Sequence, residues 1–134
     1  MKPSNRCACP GLPPLQISEA RAHRGIPSPG HSDCPVCTSN LWVGIYGLVT
    51  RKTSGGAQLS PKEAITPMEA IRAYTIAGAY SAWEEGIKGS VEEGKLVDIV
   101  VVDRDPLTID SDDLKNVRTL LTVVDGKILH NVIK

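Results

Sequence analysis

Phenylalanine is missing from all 134 residues, and the aromatic residues together make up only 4%. A core in this chain has to be assembled from Val, Ile, Leu and Ala. Net charge is missing as well, since Lys and Arg number 15 and Asp and Glu number 15. That balance offers no basic face, so a nucleic-acid partner is not expected. No apolar run approaches the roughly 20 residues that a membrane span requires, so no membrane association is expected. Lys2 and Arg6 have no apolar stretch behind them. The N-terminus therefore does not read as a secretory signal, and the expected location is cytoplasmic. Paired histidine is also lacking: His23, His31 and His130 form no His-x-His pair.

What is present fits one modest domain. A hydrophobic fraction of 41% argues against global disorder. The four cysteines read Cys7-x-Cys9 and Cys34-x-x-Cys37. Two close pairs could make a tetrahedral zinc site. Against this, Cys-x-Cys is a poor knuckle, and Pro35 removes one of the amides inside the second pair. Four reduced thiols are the plainer reading, because nothing argues for secretion.

Residues 1–24 contain Pro3, Pro10, Pro13 and Pro14 and little periodicity. Leu41, Trp42, Ile45, Leu48 and Val49 fall at helical spacing, which predicts a partly helical connection over 41–53. Thr66, Pro67 and Glu69 form a capping box with proline at the first helical position. They predict a helix over about 67–77, and a second over 79–85 that stops at Gly86. The β-branched run from Val97 to Asp103 predicts a strand. Ser111 to Asn116 is polar, with room for one helical turn. Strands near 117–124 and 127–132 flank Asp125-Gly126, a strong hairpin signal.

One stretch carries more than local structure. In Gly30-His31-Ser32-Asp33-Cys34-Pro35-Val36 a small polar run follows Gly25-Ile26-Pro27 and ends in the carboxylate of Asp33. Beyond it lie Gly44-Ile45-Tyr46-Gly47 and Val49-Thr50-Arg51-Lys52-Thr53. Further on, Gly89-Ser90-Val91-Glu92-Glu93-Gly94-Lys95-Leu96-Val97-Asp98 leads into the β-branched strand. Taken together, these blocks resemble the YtcJ-like branch of the metal-dependent amidohydrolases, amidohydrolase family 3, from about Gly25 to His130. The Gly89-Ser90-Val91 block is common to many amidohydrolases, and the Gly44–Gly47 and Val49–Thr53 blocks narrow the match to the branch.

The resemblance implies an α/β fold: the C-terminal part of a (β/α)8 barrel with antiparallel strands of the accompanying small β-sandwich. The domains would be an irregular, divergent segment over 1–24, the last barrel strand and following helices over 25–86, and β-sandwich strands over 87–134. Ser28-Pro29 departs from this pattern, since proline cannot donate to a strand ladder. The implied activity is metal-dependent hydrolysis of non-peptide carbon–nitrogen bonds in small amide-type substrates, with a divalent metal, zinc by preference, as cofactor.

The same resemblance puts the family's last-strand aspartate on Asp33, as metal ligand and as general base for the hydrolytic water. His31 beside it could line the pocket or donate to substrate; an ordinary loop histidine is the plainer alternative. Arg51 and Lys52 could reach an anionic group, but a solvated pair is the simpler reading. Trp42, Tyr46, Tyr74 and Trp83 read as packing residues, and Asp103 and Asp105 as turn residues. A metal centre needs three or more protein ligands, and Asp33 supplies one. The chain by itself is therefore expected to bind no metal, to be inactive, and to self-associate through uncovered apolar surface, as a fragment would. The alternative is a small non-catalytic module, stabilised by a four-cysteine zinc site or by oligomerisation.

Overall fold

A computed structural model describes residues 25–32, 34, 35 and 38–133. Helix α1 spans Leu41–Thr50. Asn40 starts it by accepting a hydrogen bond from the Trp42 amide at 3.1 Å, which satisfies one of the free N–H groups of the first turn. Trp42, Ile45 and Leu48 recur at three-residue spacing and form its buried face. Arg51 ends it in the left-handed region, at φ 55°, and its amide donates to the Gly47 carbonyl.

Helix α2 spans Pro67–Tyr74. The Thr66 hydroxyl accepts from the Glu69 amide at 3.3 Å, and the Glu69 carboxylate accepts from the Thr66 amide at 2.8 Å. This reciprocal cap is the one expected from the sequence. The helix is shorter than expected because Thr75 leaves helical geometry, with φ −121° and ψ −94°. Helix α3 then spans Ile76–Ser81. Ala70 and Ala73 are the buried residues of α2, and their small side chains keep the α2 backbone close to its neighbours. Thr66→Ala removes the hydroxyl half of the cap. It is expected to lower stability by about 1 kcal/mol, measurable as a lower urea midpoint with an unchanged slope.

The core lies where α1 and α2 meet the 3-10 helix Ser111–Asn116. Ile45, Leu48 and Leu114 are fully buried there, joined by Trp42, Ile65, Ala70, Ala73 and Val117. A bidentate ion pair from Lys52 to Asp112, at 2.6 and 2.8 Å, holds the same elements together at the surface. Lys115 lies 4.8 Å from the centre of the Tyr46 ring, a cation–π contact.

Strands β1 (Ile99–Val102), β2 (Thr119–Val124) and β3 (Lys127–Asn131) form an antiparallel sheet in the order β1-β2-β3. Ile99 pairs with Val123, and Leu121 with Asn131. The register shifts between Val101 and Val102 and between Thr122 and Val123. Asp125 and Gly126 both have positive φ, 50° and 72°, as a two-residue hairpin turn with the right twist requires. All five residues of β3 are exposed.

Several expectations change. Val97 and Asp98 lie outside the sheet: the Asp98 carboxylate accepts from the Asp125 amide at 2.9 Å and the Val97 carbonyl from the Gly126 amide at 3.2 Å, so both serve the hairpin turn. Trp83 is not a packing residue, being 85% exposed at φ 60°. Arg51 is not a solvated partner of Lys52: it is buried, and its Nε donates to the Leu59 carbonyl. Residues 25–32 contain no strand. Pro27 and Pro29 bring no N–H to a ladder, and Gly30 instead donates to the Ala73 carbonyl at 2.9 Å.

Candidate functional site

The segment that leads to Asp33 in the sequence is held by α2. Its Gly30 amide is bonded to Ala73, the penultimate residue of α2, and its His31 carbonyl accepts from the Tyr74 hydroxyl at 3.5 Å. The Tyr74 ring packs on the core, and burial pushes its phenol pKa up. The hydroxyl therefore stays protonated, and able to donate, at neutral pH. His31 and Cys34 are exposed. Asp33 itself lies outside the described residues, as do Cys7, Cys9 and Cys37.

A mainly apolar groove of about 760 Å³ runs between α1, α2, α3 and β1. Leu41, Trp42, Ile71, Tyr74, Ile99 and Val102 are among its walls. Its size is that of a small-molecule cleft. Tyr74 belongs both to this wall and to the hold on His31. The buried Trp42 Nε1 has no hydrogen-bond partner among the described residues.

Ser90, on the rim of the groove, has a lysine within reach. Lys95 Nζ donates to Ser90 Oγ at 2.6 Å, and Ser90 donates to Glu92 Oε1 at 2.6 Å. Lys95 also reaches Glu92 at 3.3 Å. The Ser90 hydroxyl and then Lys95 hold the Glu92 carboxyl below its ordinary value. Lys95 is the donor in both of its contacts. The trio closes the Gly89–Gly94 turn.

Asp103 is likewise structural, though more than a turn residue. Its carboxylate accepts from the Arg118 amide at 2.9 Å and Arg118 Nε at 3.1 Å, and from Arg104 at 3.3 Å. Chiefly through the Arg118 amide, and helped by both guanidinium groups against partial burial, its pKa falls to about 2. The fold thus favours the ionised form. That stabilisation is complete above the unfolded value near 3.8 and is lost as pH falls towards 2. Thermal midpoints should drop over this interval, and Asp103→Asn should flatten the drop while lowering the midpoint at neutral pH.

Among the described residues, no three His, Cys, Asp or Glu side chains gather as a metal site would require. With three or more donors needed, these residues do not by themselves fit a resident metal ion. Among them, too, no helix is long and apolar enough to cross a membrane.

The chain matches the model of the amidohydrolase family over residues 17–130. It is 39% identical over 99 residues to the N-substituted formamide deformylase of Arthrobacter pascens, covering 74% of this chain and 18% of that protein. It is 32% identical over 110 residues to a protein of Bacillus subtilis (strain 168) named amidohydrolase YtcJ, covering 80% of this chain and 21% of that one. The match thus spans about a fifth of the length of these relatives. No solved structure matches the chain significantly.

Proposed function

Because the chain belongs to the amidohydrolase family, we propose that it forms the C-terminal part of a metal-dependent hydrolase of non-peptide C–N bonds. In this reading residues 25–86 take the place of the last barrel strand and its helices, although 25–32 form no strand in this chain, and 87–134 are strands of the adjoining β-sandwich. The observation that carries the proposal is the 39% identity to a formamide deformylase across three quarters of the chain. It favours small N-substituted amides or formamides as substrates.

Asp33 is proposed as the proton acceptor. Its carboxylate takes a proton from the attacking water as the C–O bond forms, and returns it to the nitrogen as the C–N bond breaks. The products are a carboxylic acid and an amine. Metal dependence is general in the family. Asp33 is the ligand this chain would contribute, with the other donors coming from barrel strands it does not contain. His31 is proposed to face the substrate.

The test is a chimera in which residues 25–130 replace the matching segment of the Arthrobacter deformylase. Hydrolysis of N-substituted formamides that disappears with Asp33→Asn supports the proposal. A folded chimera whose turnover ignores Asp33 would sink the assignment of the base.

The isolated chain is expected to be inactive and to self-associate. Leu129, Ile128, Val91 and Val100 are exposed apolar side chains, and uncovered surface of this kind favours association. Light scattering should report a mass above the monomer. Assays with added zinc should show no hydrolysis of simple amides, formamides or cyclic ureides. A sharp monomer with zinc-dependent turnover would contradict both expectations.

A further inference from the structure

Strand β1 lies at the margin of the sheet, with β2 as its one neighbour among the described residues. The Val97 carbonyl and the Asp103 amide both bond on the β2 side. Bonding direction alternates along an antiparallel strand. Ile99 and Val101 therefore bond inwards too, and Val100 and Val102 turn their N–H and C=O groups to the open edge.

Such an edge is a template for a further strand, and proteins blunt it with bulges, lysines or prolines. The opposite edge is blunted in this way. The register of β3 shifts so that Leu129 stands opposite no residue of β2, and Lys127 opens the strand. β1 has no such device: it is four β-branched residues, Ile99–Val102. Val100 is 51% exposed and Val101 37%.

We propose that a second copy of this chain covers the edge, its β1 running antiparallel to the first in a twofold dimer with one continuous sheet. This gives the self-association expected of the isolated chain a surface and a stoichiometry, and it rests on no role for Asp33. A ladder forms only where outward-bonding residues meet each other. A twofold axis at Val101 satisfies this, with Val100 bonding the partner's Val102. The same register sets Asp98 against the partner's Arg104 at both ends.

The charges suit that register. Asp98 accepts from the Asp125 amide and has no cation beside it among the described residues. Arg104 and Arg118 share a single carboxylate, that of Asp103, which leaves one positive charge over. Asp105, the next residue, turns its carboxylate to the Leu107 amide at 2.9 Å. An axis at Val100 would set Asp98 against Val102, and an axis at Val102 would set it against Pro106, which has no N–H to give. Cross-strand pairs of β-branched residues and of opposite charges stabilise a ladder, and an isologous contact closes at two copies.

Sedimentation equilibrium of the full 134-residue chain tests the proposal. A ladder this short buries less than the roughly 1,200 Å² of a stable interface, so a weak monomer–dimer equilibrium is expected. Val101→Lys puts like charges on the twofold axis and should weaken the dimer about tenfold. Asp98→Lys and Arg104→Glu should each weaken it at least about fivefold. Mixing these two variants should restore it, because the mixed dimer regains an opposite-charge pair at both ends.

Amide exchange locates the contact without any variant. At a concentration about ten times the dissociation constant, roughly a fifth of the chain is monomer, so the Val100 and Val102 amides should exchange about fivefold more slowly than at high dilution. A dimer indifferent to Val101→Lys, charge variants that stay apart when mixed, or growth beyond two copies would overturn the proposal and leave self-association itself standing. A chain that is monomeric at every concentration would overturn both. If circular dichroism shows that Val101→Lys is unfolded, the mixing and exchange results decide.

Discussion

Asp33→Ala, in an amidohydrolase completed around this segment, is expected to lower kcat by about 10²–10⁴-fold, the range that one positioned proton-transfer residue supplies. If the carboxylate acts on the substrate as proposed, circular dichroism and the melting midpoint should stay unchanged. The pattern across variants matters more than the size of the loss. Asp33→Asn keeps the shape and one acceptor oxygen but cannot take a proton. If proton transfer is the main role, Asn and Ala should be equally damaging to kcat with KM little changed. If Asp33 acts mainly as a ligand, Asn should retain more bound metal than Ala, and activity should follow metal content. The bell-shaped pH profile would also lose its acidic limb in the Asn variant, since that limb reports the titration of the base.

The second large effect is expected at Leu114. This leucine is the sole buried residue of a polar 3-10 helix, and its side chain is fully enclosed against α1 and α2. Leu114→Ala should cost about 2–5 kcal/mol, as large-to-small changes in cores do. That is a large part of the roughly 5–15 kcal/mol that holds an ordinary domain together. The variant should unfold at a much lower urea concentration. Leu107→Ala, at an exposed position, should change the midpoint little and serves as the control.

Where the local signal was self-contained, the sequence could be read. Thr66, Pro67 and Glu69 lie within one turn, and the capping box needs nothing from elsewhere in the chain. Asp125-Gly126 is equally local, because the turn type is set by two residues that tolerate positive φ. Residues whose role depends on distant partners were harder. Arg51 reads as a solvated cation, yet it is buried because the chain returns eight residues later and presents the Leu59 carbonyl to its Nε. Trp83 reads as core, yet it sits at φ 60° in a turn and points away from it. Tyr74 reads as a packing residue, and it does pack. Its contact with Gly30 is across more than 40 residues, and the only trace in the sequence is a glycine at position 44 inside a helical pattern. Asp33 is marked in the sequence by the polar run before it and by the family blocks around it, and it lies outside the described residues.

The placement of the 3-10 helix against α1 has a kinetic consequence. The β2–β3 hairpin joins neighbours across a two-residue turn, and hairpins of this kind form in about 1–10 μs. Lys52 and Asp112, which mark the meeting of α1 with the 3-10 helix, are 60 residues apart. Closing so long a loop loses more chain entropy before any contact can reward it. The hairpin and the capped α2 should therefore be present early, while burial of Leu114 against α1 comes late, after the rate-limiting step. Leu114→Ala would then act mainly on the unfolding limb of a chevron plot, and the α1 core, although the best packed part of the molecule, would be the last to assemble.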